Sequence, residues 1–275
     1  MSDEPPLVTR PDLPPADPSP APAPKRPGMG VIEAGLWCLV FLACQTFFAA
    51  AVGFGVFAAY AFTAPEPGKF TDEQLRGLGA KSDDGSAAPV PFAIGQALAW
   101  GMLAAQVGSL AFIRLVLPRK IGPDWKSAIA LRPPRPFHVV LVLLIAPGFL
   151  IAPEVVEQLV RSFAQWELPA PDLKGVFGPF PWVLTGLAVA VGPGLVEELW
   201  FRGFLGRGLT RRYGLVAGVL LTSVLFAVAH IAPTRVPVYT LMGLYLHFVY
   251  YTTRSLWAPV LLHALNNGAA ITLLL

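Results

Sequence analysis

The chain has 275 residues, of which 55% are hydrophobic and only 13% charged, with a formal net charge of +3. A soluble domain carries roughly 25% charged residues, so this chain cannot cover a water-facing surface of ordinary polarity. Disorder throughout is excluded as well, because it requires low hydrophobicity and high net charge, and what remains is an integral membrane protein.

The basic excess does not point to nucleic acid, and no nucleic-acid partner is expected. Lysines and arginines fall in short polar intervals between apolar runs, as at Arg119, Lys120, Lys126, Arg132 and Arg135, and again at Arg207, Arg211 and Arg212. That is the pattern of cytoplasmic loops rather than of a phosphate-binding stripe. Cys38 and Cys44 stand six apart in one apolar run. On a helix they point to different faces, which provides neither a disulfide framework nor a zinc-knuckle spacing.

Residues 1–28 are dense in proline, as in Pro14-Pro15-Ala16-Asp17-Pro18, and have no apolar periodicity, so they read as a disordered, polyproline-biased tail. The first apolar run, Val31 to Phe62, exceeds the roughly 7–15 residues of a signal-peptide core and reads as a retained anchor. An acidic interval from Thr63 to Pro89 suits the outer side, and Pro91 to Leu117 is a second span. The basic stretch Pro118 to Pro136 then reads as cytoplasmic. Phe137 to Pro153 is a short third span, followed by a mixed loop from Glu154 to Pro179 with an interfacial helix around Val155 to Trp166. Apolar sequence resumes after Pro181 and runs to about Leu209, and three further spans follow at Gly214 to Ala232, Val236 to Tyr251 and Leu256 to Leu275. Runs of this length are those of membrane helices of roughly 17–25 residues. None shows the alternation of a barrel strand. The expected fold is an all-α, polytopic transmembrane helical bundle of about seven spans, between six and eight, with the amino terminus inside and the plasma membrane as location.

Ionisable side chains inside a bilayer cost about 2.5–3.5 kcal/mol each on insertion scales and are paired or functional. Here they concentrate in the last four spans, at Glu197, Glu198, Arg202, His230, His247 and His263, joined by the polar Asn267. Glu198 and Arg202 are four apart and share one helix face, where they can neutralise one another. Glu197 is turned about 100° away, so one carboxylate is structural and the other is free to act. Phe226 with His230, and His263 with Asn267, repeat the four-residue spacing, whereas Asn266 points elsewhere. If the fourth and fifth spans form a hairpin near Tyr213 and Gly214, Glu197 and His230 lie at equal distance from the turn and hence at equal depth. A carboxylate and an imidazole near one water suit general-base catalysis, and an imidazole with an amide suits a developing oxyanion.

Glu197-Glu198-x-x-x-Arg202, Phe226-x-x-x-His230 and His263-x-x-x-Asn267, in that order on consecutive apolar spans, resemble the CPBP family of CAAX proteases and bacteriocin-processing enzymes. Gly-Phe-Leu at 203–205 and Ser-Leu-Trp-Ala-Pro at 255–259 look similar too. The resemblance covers about Pro179 to Leu275. It divides the chain into a tail (1–28), N-terminal membrane helices and loops (29–178) and a protease-like helical core (179–275). It implies an intramembrane endopeptidase cutting near the cytoplasmic leaflet, with CAAX prenyl proteases acting on prenylated carboxyl termini. Glu197 and His230 would activate water, His263 and Asn267 would stabilise the oxyanion, and Glu198 with Arg202 would orient Glu197, with Phe226 a structural member of the motif. His247 has no counterpart and reads as a packing or interface residue.

Relatives are often labelled metalloproteases, and Glu197, His230 and His263 are the ligands a zinc ion would use. No His-Glu-x-x-His is present, so metal-independent chemistry without a cofactor is favoured and zinc is kept as the alternative. The expected partners are a membrane-associated protein or peptide substrate and the bilayer, with oligomeric state left open. Two other classes compete. A non-catalytic scaffold or immunity-type protein would recruit partners through the tail, and a proton-coupled transporter would use Glu197 and His230 as a relay. Transporters show polar broken helices in both halves, whereas here the polar residues sit in one half.

Overall fold

A computed structural model of the protein describes residues 28–63, 92–163 and 173–275. The proline-rich tail, apart from Gly28, the acidic interval and the end of the expected interfacial helix lie outside the described residues. Nine helices are present among those described: α1 (Val31–Thr63), α2 (Phe92–Ile121), the short α3 (Trp125–Ala128), α4 (Pro136–Phe163), the short α5 (Leu173–Phe177), α6 (Trp182–Tyr213), α7 (Leu215–Ala229), α8 (Val236–Thr253) and α9 (Trp257–Leu274). No strand occurs among these residues. The fold is an all-α polytopic transmembrane bundle.

Four helices, α1, α2, α4 and α6, are long and apolar enough to cross a membrane on length and composition alone. α7 has 15 residues, and α8 and α9 have 18 each. The outward faces carry large apolar side chains, including Phe47, Phe54, Leu144, Val183 and Val216, all exposed. That is the inside-out surface required when lipid is the solvent. Buried backbone groups are satisfied within each helix, so association rests on close packing. Where α1 meets α2, a Cβ on Gly101 would lie 2.7 Å from the Ala49 carbonyl oxygen, so glycine is what lets the two backbones touch.

Two boundaries depart from the sequence reading. The expected third span and the first part of the interfacial helix form one helix, α4, which continues through Pro147 and Pro153. Proline removes one intrahelical bond, which would end a helix in water, but in a bundle neighbouring helices and small local adjustments compensate. α2 likewise runs through Pro118 to Ile121.

One end of the bundle is tied by the turn after α3. Arg207 Nε donates to the Ala128 carbonyl at 3.1 Å, Tyr250 Oη to Ile129 at 3.0 Å and Arg132 Nε to Arg254 at 2.8 Å, while the Leu256 amide donates to Ala130 at 2.9 Å. These bonds lock the ends of α6, α8 and α9 together. Deeper in, Trp37 and Phe41 of α1 pack on Trp200 of α6, with Phe41 stacked at 4.8 Å, and fix the helix that carries the glutamates.

Candidate functional site

α6 is not a uniform α-helix. It opens into wider π-helical turns at Gly186–Val191 and again at Glu198–Gly206, with an α-helical segment, Gly192–Glu197, between them. Such turns recur at functional sites because they re-aim side chains. Here the junction falls between Glu197 and Glu198.

Glu198 and Arg202 are completely buried and joined at 2.8 Å. Glu198 Oε1 also accepts from Nδ1 of His263 on α9 at 2.9 Å, and Arg202 Nη2 donates to the Gly243 carbonyl on α8 at 3.2 Å. Pairing offsets the cost of removing the two charges from water only in part, because Glu198 Oε2 and Arg202 Nε are buried without a hydrogen-bond partner. His247, buried on α8, also bonds the Gly243 carbonyl, at 3.0 Å, and so packs beside Arg202. The Arg202 guanidinium lies 4.6 Å from the centre of the Phe226 ring. Phe226 in turn meets His230 edge-on at 4.8 Å and His263 at 6.0 Å, which makes it the ring around which the motif residues gather.

Glu197, one residue earlier, faces a different neighbour. Its Oε2 lies 3.9 Å from Nε2 of His230, so the hairpin does bring the two to one depth, with the turn at Gly214 (φ 81°). Both keep partial access, with 18% and 28% of their side chains exposed. Glu197 Oε2 has no hydrogen bond of its own. His230 Nδ1 is 2.8 Å from the Phe226 carbonyl, which can only accept, so Nδ1 carries hydrogen and the neutral ring presents its lone pair at Nε2.

Asn267 Nδ2 donates to the Val189 carbonyl at 3.2 Å. Pro193, four residues after Val189, has no amide hydrogen, so that carbonyl lacks the donor an α-helix would supply. The side chain of α9 takes its place. Asn266, expected to point elsewhere, instead donates to Asn267 Oδ1 at 3.3 Å.

The three side chains named for zinc are divided between two pairs, Glu197 with His230 and Glu198 with His263. Among the described residues no three His, Cys, Asp or Glu side chains form a cluster that could hold a metal ion. The donor set as placed does not fit a three-ligand zinc centre.

Three residues at the site escaped the sequence reading. The Tyr239 ring lies 4.2 Å from the His230 ring at 31°. Arg235, four residues before it, pairs with Glu157 of α4 at 3.0 Å. Partial burial works against the Arg235 charge, yet the Tyr239 phenol and the Glu157 carboxylate hold its guanidinium above the ordinary arginine value. The four-residue spacing of Arg235 and Tyr239 was a usable signal, whereas Glu157 stood in what read as a loop. Two apolar cavities flank the region. One, of about 470 Å³, is lined by Phe149, Val156, Val238 and Tyr245 between α4 and α8. The other, of about 720 Å³, is lined by Ala190, Val191, Ala264 and Gly268 beside the Asn267–Val189 bond.

Comparison with known proteins covers this same part of the chain. Residues 179–269 match the family described as Type II CAAX prenyl endopeptidase Rce1-like, a stretch that holds every motif residue from Glu197 to Asn267. A Bacillus subtilis (strain 168) protein named "Putative membrane peptidase YdiL" is 31% identical over 77 residues, which is 28% of this chain. The chain aligns with 31% of that relative's length. No solved structure matches.

Proposed function

We propose that this protein is an intramembrane endopeptidase that hydrolyses a peptide bond in a membrane-associated protein or peptide, with Glu197 and His230 activating the attacking water. The observation that carries this reading is the Glu197 Oε2 to His230 Nε2 separation of 3.9 Å. Two acceptors at that distance can each take one hydrogen of a single water, which raises the electron density on its oxygen. The water oxygen attacks the scissile carbonyl as its proton passes to Glu197, and the proton is then delivered to the departing amine nitrogen.

Charge develops on the former carbonyl oxygen. Asn267 spends one amide hydrogen on Val189 and keeps a second for that oxyanion. His263 gives Nδ1–H to Glu198, so only its doubly protonated form offers an Nε2–H as well. Glu198 and Arg202 hold the helix and set the direction of Glu197. No step in this scheme passes through a metal, and zinc on Glu197, His230 and His263 is the competing form of the proposal. The apolar cavities suit a substrate that is itself lipid-embedded or lipidated, and a prenylated CAAX terminus is the substrate class named by the matching family. The positive-inside rule supports an amino terminus on the cytoplasmic side of the plasma membrane.

The test uses detergent-purified wild type, Glu197→Gln and His230→Ala, a fluorogenic farnesylated CAAX peptide and its unmodified counterpart, with and without a zinc chelator. Wild type should cleave, each substitution should reduce turnover by about 10²–10⁴-fold, and the chelator should have no effect. Wild-type turnover in both variants would refute the proposal. Loss on chelation with rescue by zinc would replace it with the metal form.

A further inference from the structure

We propose that Tyr239 is the positioning residue of His230, and that it is held in place by an ion pair reaching to α4. The inference rests on the reading of His230 as a base. His230 is the residue at which α7 ends, and Ile231 after it has a left-handed backbone at φ 52°, unusual for a β-branched residue. No further helical turn therefore supports the imidazole. One hydrogen bond to the Phe226 carbonyl and one edge contact with the Phe226 ring hold it from one side. These fix the tautomer but leave the other ring face uncovered.

Tyr239 covers that face at 4.2 Å. Arg235, one turn earlier at the start of α8, is paired with Glu157 Oε1, which also accepts from Arg161 at 2.7 Å. Glu157 is mostly buried, with 14% of its side chain exposed, so solvent screens this pair less than a surface one. Pro233 and Pro237, on either side of Arg235, limit the backbone freedom of the same segment. The ion pair thus fixes the start of α8 against α4, and with it the tyrosine ring that covers the imidazole. Its role is geometric: it keeps Nε2 aimed at Glu197.

A catalytic group misplaced by about 1 Å loses on the order of 10²-fold in rate. Tyr239→Ala should therefore lower kcat between about tenfold and a hundredfold with KM little changed. Tyr239→Phe, which keeps the ring, should stay within about threefold of wild type on the same scale. A second readout needs no substrate. Carbethoxylation of His230 by diethyl pyrocarbonate, located by peptide mass, should accelerate several-fold in Tyr239→Ala and remain at the wild-type rate in Tyr239→Phe. Arg235→Gln should fall between them, and adding it to Tyr239→Ala should cause no further loss. Unchanged His230 reactivity in Tyr239→Ala would overturn the proposal, as would a Tyr239→Phe variant as impaired as Tyr239→Ala, which would assign the role to the hydroxyl. If wild type cleaves no peptide, the reactivity measurement decides alone, so failure of the protease reading and failure of this one are separable.

Discussion

Adjacent glutamates meet different fates on α6 because one residue of helical rotation separates a fully packed interior from a partly exposed position. Glu198 is fully buried and bound through Oε1 by Arg202 and His263, whereas Glu197 keeps partial access and faces His230. Removing either member of the buried pair strands a charge in a low-dielectric core, which costs about 3–5 kcal/mol. Glu198→Ala and Arg202→Ala should therefore unfold at markedly lower temperature in detergent. Glu197→Gln should melt with the wild type while losing turnover. A Glu198→Ala protein of undiminished melting temperature would show that the buried pair does not hold the bundle. The pair itself was legible in the sequence, since both partners sit on one turn of one helix. The bond from His263 to Glu198, across 65 residues, was not, because it depends on how α9 is rotated.

At the scale of elements, the informative feature is the irregular course of α6. Its π-helical turns use the same apolar residue types as ordinary helix, so hydropathy shows the span and hides the turns. The proline at 193 was visible, but not what it would require of another helix. Asn267 supplies a donor to the Val189 carbonyl that Pro193 withholds, a bond worth about 1 kcal/mol net. Asn267→Ala should lower the melting temperature modestly in the wild-type background. In Pro193→Ala, where a backbone amide is restored, the same substitution should cost less stability. Equal losses in the two backgrounds would separate Asn267 from the backbone of α6. The same logic explains α4, where Pro153 invited a break that the packed bundle did not make.

For the whole molecule, charge is unequally divided between the two ends. Arg119 and Lys120 end α2, Lys126, Arg132 and Arg135 fill the connection to α4, Arg207, Arg211 and Arg212 lie in the last turns of α6, and Arg254 follows α8, all at one end. Arg161, Lys174 and Arg235 are the lysines and arginines among the described residues at the other end of the bundle. On the positive-inside rule, the basic end is the one we propose to be cytoplasmic. In a variant lacking Cys38 and Cys44, a cysteine replacing Arg212 should react with a membrane-impermeant maleimide only in inverted vesicles, and one replacing exposed Phe163 only in intact cells. The reverse pattern would invert the topology.

Composition, hydropathy and four-residue spacing by themselves determined the membrane class, the helical bundle, most span limits and the pairs that lie within one helix. They also set the common depth of Glu197 and His230, because distance along a helix is counted in residues. Only the tertiary structure decided which faces meet. Rotation about each helix axis follows from packing among all the helices, and it is rotation that brings His263 to Glu198, Asn267 to Val189, Arg235 to Glu157 and the Tyr239 ring to His230.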